Sequence, residues 1–243
     1  MTDKQTSRWY SNRVESDVSV VRWGYWGKPM IVFPTAGGDA EEVERMWLID
    51  AVGEYLDAGR VKVYSCDSVA GAAMLRGEGS ARYRAAMLNG FQEFVRYEMI
   101  PAIRTDCASD DITVMATGAS IGAFNAMALL CRYPDVVTHA VGLSGTYDLA
   151  RFMSGDGGED LFLATPMYFL PGLDGPQLDV LRRRLAIFAS GEGRWENIGE
   201  SWSLAGVMGS KGIPNRVDSW GSDYDHDWMT WREMLPRYLA ELT

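Results

Sequence analysis

The stretch that decides the fold is residues 112–132, ITVMATGASIGAFNAMALLCR. Its apolar start, residues 112–116, predicts a buried β-strand, and residues 121–132 predict a helix. Between them lies GASIG at 118–122, with glycine two positions before and two positions after Ser120. Glycine at both positions favours a sharp turn, because larger side chains would collide there. The sequence therefore predicts a strand–turn–helix unit that lifts Ser120 above the edge of a sheet.

The rest of the chain alternates between short apolar runs and longer stretches with helical spacing. Such alternation is typical of right-handed βαβ units, and it indicates an α/β fold with a mostly parallel sheet and helices on both faces. We expect strands at residues 18–23, 30–33, 61–64, 136–143, 185–189 and 216–220, and helices at 39–59, 81–103, 199–211 and from 228 onward, the last interrupted at Pro236.

Two segments fall outside this alternation. Residues 1–14 are polar and are expected to form a loose arm. Residues 150–180 lack a clear strand signal and are rich in glycine, proline and aromatic residues, which we interpret as a short insertion over the site rather than a second domain. A length of 243 residues is normal for one large α/β unit. Residues 1–243 are therefore predicted to form a single domain.

Composition excludes several kinds of function. The chain has 33 acidic and 23 basic residues, a net charge of −10, which disfavours nucleic acid and anionic membrane surfaces as partners. No apolar run approaches 18 residues, and the polar N-terminus lacks the apolar region of a signal peptide. Its three cysteines fit a reducing compartment, so we expect a cytoplasmic protein. The chain has only two histidines, His139 and His226, and their placement does not suit a zinc site, so none is expected.

The glycine-flanked serine is a candidate nucleophile. A G-x-S-x-G motif is weak alone, but between a strand and a helix it predicts that Ser120 attacks a carbonyl group. The alternative is a serine in an ordinary turn of a βα unit. The oxyanion hole would be formed by the backbone N–H of Ile121 and by Ala36 or Gly37, in the loop after an early strand. The alternative for that loop is a turn that needs glycine for positive φ.

His226 is the candidate general base. It lies in the loop SDYDHDW at 222–228, after the last predicted strand, and would reach the same sheet edge as Ser120. The alternative is a surface histidine in an acidic loop. The second histidine, His139, falls within an apolar strand and is expected to be a core residue.

The acid that orients the histidine is less determined by the sequence. In this fold the acid is expected between the serine and the histidine in chain order. The loop after the strand at 185–189 offers Glu196, which we favour, and Glu192. Further candidates are Asp148, after the preceding strand, and Asp223 and Asp225, beside His226. For each of them the alternative is a solvated charge or a helix cap.

With these motifs in place, the chain resembles the putative-esterase family of α/β-hydrolases, which includes S-formylglutathione hydrolases and, more distantly, mycolyltransferases. The resemblance runs from about Val18 to Leu239. It is carried by PTAGG at 34–38, GASIG at 118–122, LSGTYD at 143–148, TPM at 165–167 and HDW at 226–228.

The resemblance implies an α/β-hydrolase fold with a Ser–acid–His triad, without metal or organic cofactor, and it favours Trp195-Glu196 as the acid segment. Two departures stand out. Ala119 replaces the larger residue that many relatives carry before the serine, and the acid loop lacks the Asp that S-formylglutathione hydrolases use.

These observations predict a serine carboxylic ester hydrolase that acts on short-chain, small-molecule esters through Ser120, Glu196 and His226 and an acyl-enzyme intermediate. Two alternatives remain. One is an acyltransferase, in which an alcohol replaces water. The other is a non-catalytic binding protein on the same fold, which an intact serine and histidine disfavour. A homo-oligomer stays possible.

Overall fold

Parallel β-strands form the centre of the structure, a computed structural model that describes residues 3–243. Within these residues the strands join into one eight-stranded sheet of order β1-β2-β4-β3-β5-β6-β7-β8. The strands are β1 (Lys4–Ser11), β2 (Ser16–Trp23), β3 (Lys28–Phe33), β4 (Val61–Cys66), β5 (Val114–Ala119), β6 (Val137–Leu143), β7 (Leu185–Gly191) and β8 (Asn215–Gly221). Pairing is antiparallel between β1 and β2 and between β2 and β4, and it is parallel for every pair from β4 across the sheet to β8.

Helices follow most of the strands. They are α1 (Glu42–Arg45), α2 (Leu48–Ala51), α3 (Gly53–Asp57), α4 (Val69–Leu75), α5 (Ala81–Phe94), α6 (Ile100–Asp106), α7 (Ile121–Arg132), α8 (Ala150–Met153), α9 (Gly158–Ala164), α10 (Pro166–Phe169), α11 (Gly175–Leu181), α12 (Ile198–Ser210) and α13 (Trp228–Leu242). A π-helical turn spans Val95–Met99 and a 3₁₀ turn spans Leu170–Gly172.

The sheet is covered on both faces, as the alternating pattern predicts. Neighbouring residues of β3 point to opposite sides, so that Phe33 joins a core with α4 to α7 and α12, and Val32 joins a core with α1 to α3 and α13. Burial of apolar side chains on both faces is what stabilises a parallel sheet of this kind.

The N-terminal segment corrects one prediction. Residues 4–11 are not part of a loose arm but form β1, paired with β2 from Lys4 opposite Trp23 to Ser11 opposite Ser16. The indole of Trp9 also donates a hydrogen bond of 2.9 Å to the Glu98 carboxylate. Polar side chains on this exposed edge strand conceal its strand character, because an edge strand needs little apolar surface.

Three helix predictions are also corrected. The stretch 39–59 is broken into α1, α2 and α3: Trp47, with a left-handed φ of 65°, separates α1 from α2, and Val52, with a non-helical ψ of 11°, separates α2 from α3. The stretch 81–103 contains the π-helical turn just before Pro101, whose missing N–H removes one helical bond. Helix α13 continues through Pro236, because its buried face, which includes Trp231 and Leu235, holds it against the sheet.

Parallel strands bring their carboxyl ends to one edge of the sheet. The segments that follow β5, β6, β7 and β8 carry Ser120, Ser144, Glu196 and His226. The insertion at 150–180 consists of four short helices and the 3₁₀ turn. Within the described chain, no helix has both the length and the apolar character needed to cross a membrane.

Candidate active site

Ser120 lies in a strained turn directly after β5. Its φ is 56° and its ψ is −119°, a region that non-glycine residues rarely adopt and that costs on the order of 1–3 kcal/mol. The turn is fixed by the Ser120 N–H, which donates to the Leu143 carbonyl at 3.0 Å, and by the Thr146 N–H, which donates to the Ser120 carbonyl at 3.2 Å. The neighbouring strand end therefore holds the serine in this conformation.

The two glycines around Ser120 let α7 approach the end of β3. A Cβ atom on Gly122 would lie 2.4 Å from the Phe33 carbonyl oxygen and 2.7 Å from that of Pro34. One on Gly118 would lie 2.6 Å from the backbone carbon of Gly122. The predicted collision is thus with backbone, which cannot yield as a flexible side chain can.

His226 lies in the loop between β8 and α13. Its backbone N–H donates to the backbone carbonyl of Arg194 at 3.0 Å. Its ring packs edge-to-face on Trp231, with 5.2 Å between ring centroids. The side chain is 21% exposed, so one part of the ring faces solvent. Its Nδ1 atom is buried without a hydrogen-bond partner and lies 3.7 Å from Oε2 of Glu196.

Glu196 presents a buried carboxylate to this histidine. Its side chain is only 1% exposed. The Ser144 hydroxyl donates to Oε1, and the Ser190 hydroxyl donates to Oε2 at 3.2 Å. A buried carboxylate is costly unless hydrogen bonds and a nearby positive charge compensate it. The two serines supply the hydrogen bonds, and a protonated His226 would supply the charge.

The other candidate acids lie elsewhere. Glu192 is exposed and accepts from Ser219 at 2.5 Å, and Asp148 accepts the Ala150 N–H at 2.9 Å where α8 begins. Asp223 is exposed, and Asp225 pairs with Arg194, whose backbone N–H and guanidinium lower the pKa of that carboxyl group. Within residues 3–243, no carboxylate other than Glu196 lies within 4.0 Å of a His226 ring nitrogen.

Ser120 and His226 reach the same edge of the sheet without a hydrogen bond between their side chains. Among residues 3–243, no hydrogen bond joins the Ser120 hydroxyl to the imidazole ring. Such hydrogen bonds are often long or poorly aligned in substrate-free enzymes and tighten when substrate binds.

His139 is far from this arrangement. It lies in the first half of β6, opposite Met115 of β5, whereas Leu143 at the strand's end faces Ala119. The ring is half-buried, and Nδ1 contacts the Thr138 hydroxyl at 3.0 Å. Burial, together with nearby Lys28 and Arg184, lowers the pKa of His139 to about 4.

Backbone N–H groups around Ser120 are free to bind an anion. Ile121 is the first residue of α7, so its N–H has no partner within the helix. Among the described residues, the N–H groups of Ala36 and Gly37 also donate to no backbone or side-chain acceptor. Unpaired backbone donors of this kind can stabilise a developing oxyanion.

The loop after β3 is held in place by Glu42. This carboxylate accepts the Thr35 N–H at 2.7 Å and the Thr35 hydroxyl at 2.8 Å. Neither Gly37 nor Gly38 has positive φ, so the alternative interpretation of this loop, a turn that needs left-handed glycine, is wrong. Instead, a Cβ atom on Gly38 would lie 2.2 Å from Oε2 of Glu42.

One cavity opens beside the histidine, and a second adjoins it. A cavity of about 530 Å³ is lined by His226, Trp195 and Arg151, and one of about 400 Å³ is lined by Leu149, Met167 and Tyr168. Both are also lined by Asn197 and Glu200, so they meet at these residues. Residues of the 150–180 insertion line each cavity.

Sequence reasoning did not find four residues that shape this site: Ser144, Ser190, Glu42 and Arg151. Ser144 had a signal, because a small polar residue directly follows a buried strand next to β5. Glu42 and Arg151 had none, since an acidic or basic residue in a short helix is usually solvated.

The fold, the serine turn and the free N–H groups together define the class: this is an α/β-hydrolase-fold enzyme, an esterase-type serine hydrolase. The chain belongs to the family described as "Putative esterase", whose model matches residues 78–242. The resemblance predicted from the sequence motifs is thereby confirmed. A comparison with curated proteins finds no match.

Solved structures share the fold at low identity. A ferulic acid esterase has a TM-score of 0.75 and 14% identity, covering 100% of this chain and 98% of its own. An S-formylglutathione hydrolase from Agrobacterium tumefaciens has a TM-score of 0.69 and 12% identity, covering 99% and 95%. MPT51 (FbpC1) of Mycobacterium tuberculosis has a TM-score of 0.74 and 14% identity, covering 100% and 98%.

Proposed function

We propose that this protein hydrolyses short-chain carboxylic esters, with Ser120 as nucleophile, His226 as general base and Glu196 as the acid that orients the histidine. One observation carries the proposal above all. A carboxylate buried to 1% exposure lies 3.7 Å from Nδ1 of a histidine, at the sheet edge where a strained turn presents Ser120.

In the first half of the reaction, the Ser120 oxygen attacks the ester carbonyl while Nε2 of His226 accepts the hydroxyl proton. The carbonyl oxygen becomes an oxyanion, which the N–H of Ile121 and the N–H of Ala36 or Gly37 stabilise. The intermediate then collapses, the bond to the leaving alcohol breaks, and His226 returns the proton to that alcohol. An acyl-Ser120 ester remains.

In the second half, water replaces the alcohol. His226 accepts a proton from water as its oxygen attacks the acyl carbon, and then returns the proton to Ser120 as the acid leaves. Glu196 accepts the Nδ1–H hydrogen bond throughout, which sets the tautomer and stabilises the imidazolium. The 3.7 Å separation must shorten by somewhat less than 1 Å for this bond to form.

We assign the acyl group to the 400 Å³ cavity, which meets the cavity beside His226 at Asn197 and Glu200. Met167 and Tyr168 of the insertion line it, whereas Met153 and Leu170 of the same insertion are buried in the core. A pocket gains about 0.8 kcal/mol per buried methylene until it is full, after which further atoms clash. We therefore expect kcat/KM to rise from acetyl to about butyryl esters and to fall for long chains.

A series of p-nitrophenyl esters from about two to sixteen carbons tests this, assayed on the wild type, Ser120→Ala and Ser210→Ala. Ser120→Ala should lower kcat by about 10⁴ or more while leaving the fold intact. Ser210, an exposed serine at the end of α12, is the matched control and should change little. Undiminished activity in Ser120→Ala, a maximum at about twelve carbons or more, or a jump in rate at a substrate interface would contradict the proposal.

A further inference from the structure

One arginine in the cavity beside His226 has few partners of its own. Arg151, in α8, lines the same 530 Å³ cavity as His226 and Trp195. Its guanidinium makes one hydrogen bond, to the Thr146 hydroxyl at 3.3 Å, and no carboxylate among residues 3–243 lies within 4.0 Å of it. A guanidinium has five N–H donors, so most of those on Arg151 are available to a ligand.

The acidic groups around this cavity are, in contrast, already satisfied. Glu200 also lines it, but its Oε2 accepts the N–H groups of Tyr147 and Asp148 at 2.5 and 2.8 Å, and Oε1 accepts from Asn197 at 3.2 Å. Glu196 is held by two serine hydroxyls. These two carboxylates therefore have little hydrogen-bonding capacity left, whereas Arg151 has several free donors.

Arg151 is also held in position. The guanidinium stacks over the Phe152 ring at 4.8 Å from its centroid. Buried Arg84 donates to the Phe152 carbonyl at 2.9 Å and to the Met153 carbonyl at 2.6 Å, which anchors the end of α8. The Asp148 carboxylate accepts the Ala150 N–H and fixes the start of this helix. The cation is thus mounted on a short helix tied at both ends.

We propose that Arg151 determines specificity by binding a carboxylate on the substrate, so that the preferred esters carry an anionic group. The inference rests on the proposed function, because it places the ester at Ser120 and the anion in the adjoining cavity. A planar carboxylate suits a guanidinium, which can bind it through two parallel hydrogen bonds. The other interpretation, a solvated surface cation, is one outcome of the test.

Two matched substrate pairs locate the anion. On the alcohol side, 4-acetoxybenzoate is compared with the neutral 4-acetoxyacetophenone. On the acyl side, monophenyl glutarate is compared with phenyl pentanoate. Each rate is divided by that of the uncatalysed reaction. The wild type should prefer the charged member of at least one pair, and Arg151→Gln should lower that preference by about 10- to 100-fold, mainly through KM.

Two further variants separate charge from structure. Arg151→Lys keeps the charge but loses the planar fork, so it should retain part of the preference. Arg183→Gln removes one positive charge from exposed surface in the segment after α11 and should leave the preference unchanged. An equal loss in Arg183→Gln would mean that net charge acts at long range, which would overturn the proposal.

Binding to Ser120→Ala tests the inference without turnover. Calorimetry should show tighter binding of the charged member of a pair, and Ser120→Ala combined with Arg151→Gln should lose that difference. Equal binding of charged and neutral substrates, or a preference that survives the loss of Arg151, would overturn it. Failure of the proposed function looks different, because Ser120→Ala would then hydrolyse esters as fast as the wild type.

Discussion

At the scale of single residues, the site depends on how one buried carboxylate is held. The Ser144 hydroxyl binds one oxygen of Glu196 and the Ser190 hydroxyl binds the other, which directs the carboxylate towards Nδ1 of His226. Glu192, four residues earlier, is exposed and bonded to Ser219. The same loop therefore carries two glutamates in opposite environments, which makes them a natural matched pair.

Replacing each of these glutamates by glutamine separates their roles. Glu196→Gln keeps the shape of the side chain but removes the charge that we propose stabilises the imidazolium, so kcat should fall by roughly 10²–10⁴ with a small change in KM. Glu192→Gln should stay within about twofold of the wild type, because it alters a solvated hydrogen bond. Steady-state kinetics of both variants on one short-chain ester measures the difference. A large loss of kcat in Glu192→Gln together with nearly normal kcat in Glu196→Gln would contradict the account.

The sequence predicted the residue types of the site better than their contacts. The strand–turn–helix pattern around Ser120 and the scarcity of histidine direct attention to Ser120 and His226 from the sequence alone. Which of five carboxylates faces the histidine depends on the loop after β7, where Trp195 has φ of 62° and turns Glu196 inward. The residues around Trp195 do not predict this backbone conformation, so the sequence does not decide which of the five carboxylates faces His226.

At the scale of elements, the site depends on the close approach of α7 to the end of β3. Gly122 sits where a Cβ atom would meet the carbonyl oxygens of Phe33 and Pro34 at 2.4 and 2.7 Å. This contact sets the distance between the Ile121 N–H and the loop that carries Ala36. In the proposed oxyanion hole, this packing of backbone on backbone would set how the N–H groups are arranged.

A methyl group at Gly122 should disturb stability and catalysis together. Gly122→Ala forces α7 away from β3, which should lower the free energy of unfolding by about 1–3 kcal/mol and reduce kcat more than it raises KM. Gly206→Ala is the control, because Gly206 lies inside α12 with no atom within 4 Å of its added Cβ, and alanine should be neutral or slightly stabilising there. Urea unfolding and kinetics measure both; a fully active, equally stable Gly122→Ala would refute this role.

The sequence predicts buried strands better than it predicts the edge strand or the break in a helix. Apolar strands such as β5 and β6 are buried on both faces, so hydrophobic runs identify them. Strand β1 lies at an exposed edge and pairs with β2 without an apolar pattern, so it was missed. The first break in the stretch 39–59 comes from a left-handed residue, Trp47, and the helical spacing of the apolar residues does not predict it.

At the scale of the whole molecule, the parallel sheet gathers distant parts of the chain at one edge. Ser120, Glu196 and His226 follow β5, β7 and β8. In the sheet, β7 and β8 are neighbours, and β6 lies between β5 and β7. The alternation of strands and helices predicts such a gathering, because parallel strands end on the same side. The order of the strands in the sheet and the two cavities could not be predicted from the sequence and are known only from the structure.

This dependence on the complete fold gives the most direct test of the central claim, that His226 activates Ser120. A fluorophosphonate probe is added to the native chain, to the chain unfolded in urea and to His226→Gln, and each labelled residue is identified by mass spectrometry. We expect one label, on Ser120, in the native chain, no label after unfolding, and labelling slowed by several orders of magnitude in His226→Gln. Labelling of another residue, absence of any label on the native chain, or equally fast labelling without His226 would contradict the account.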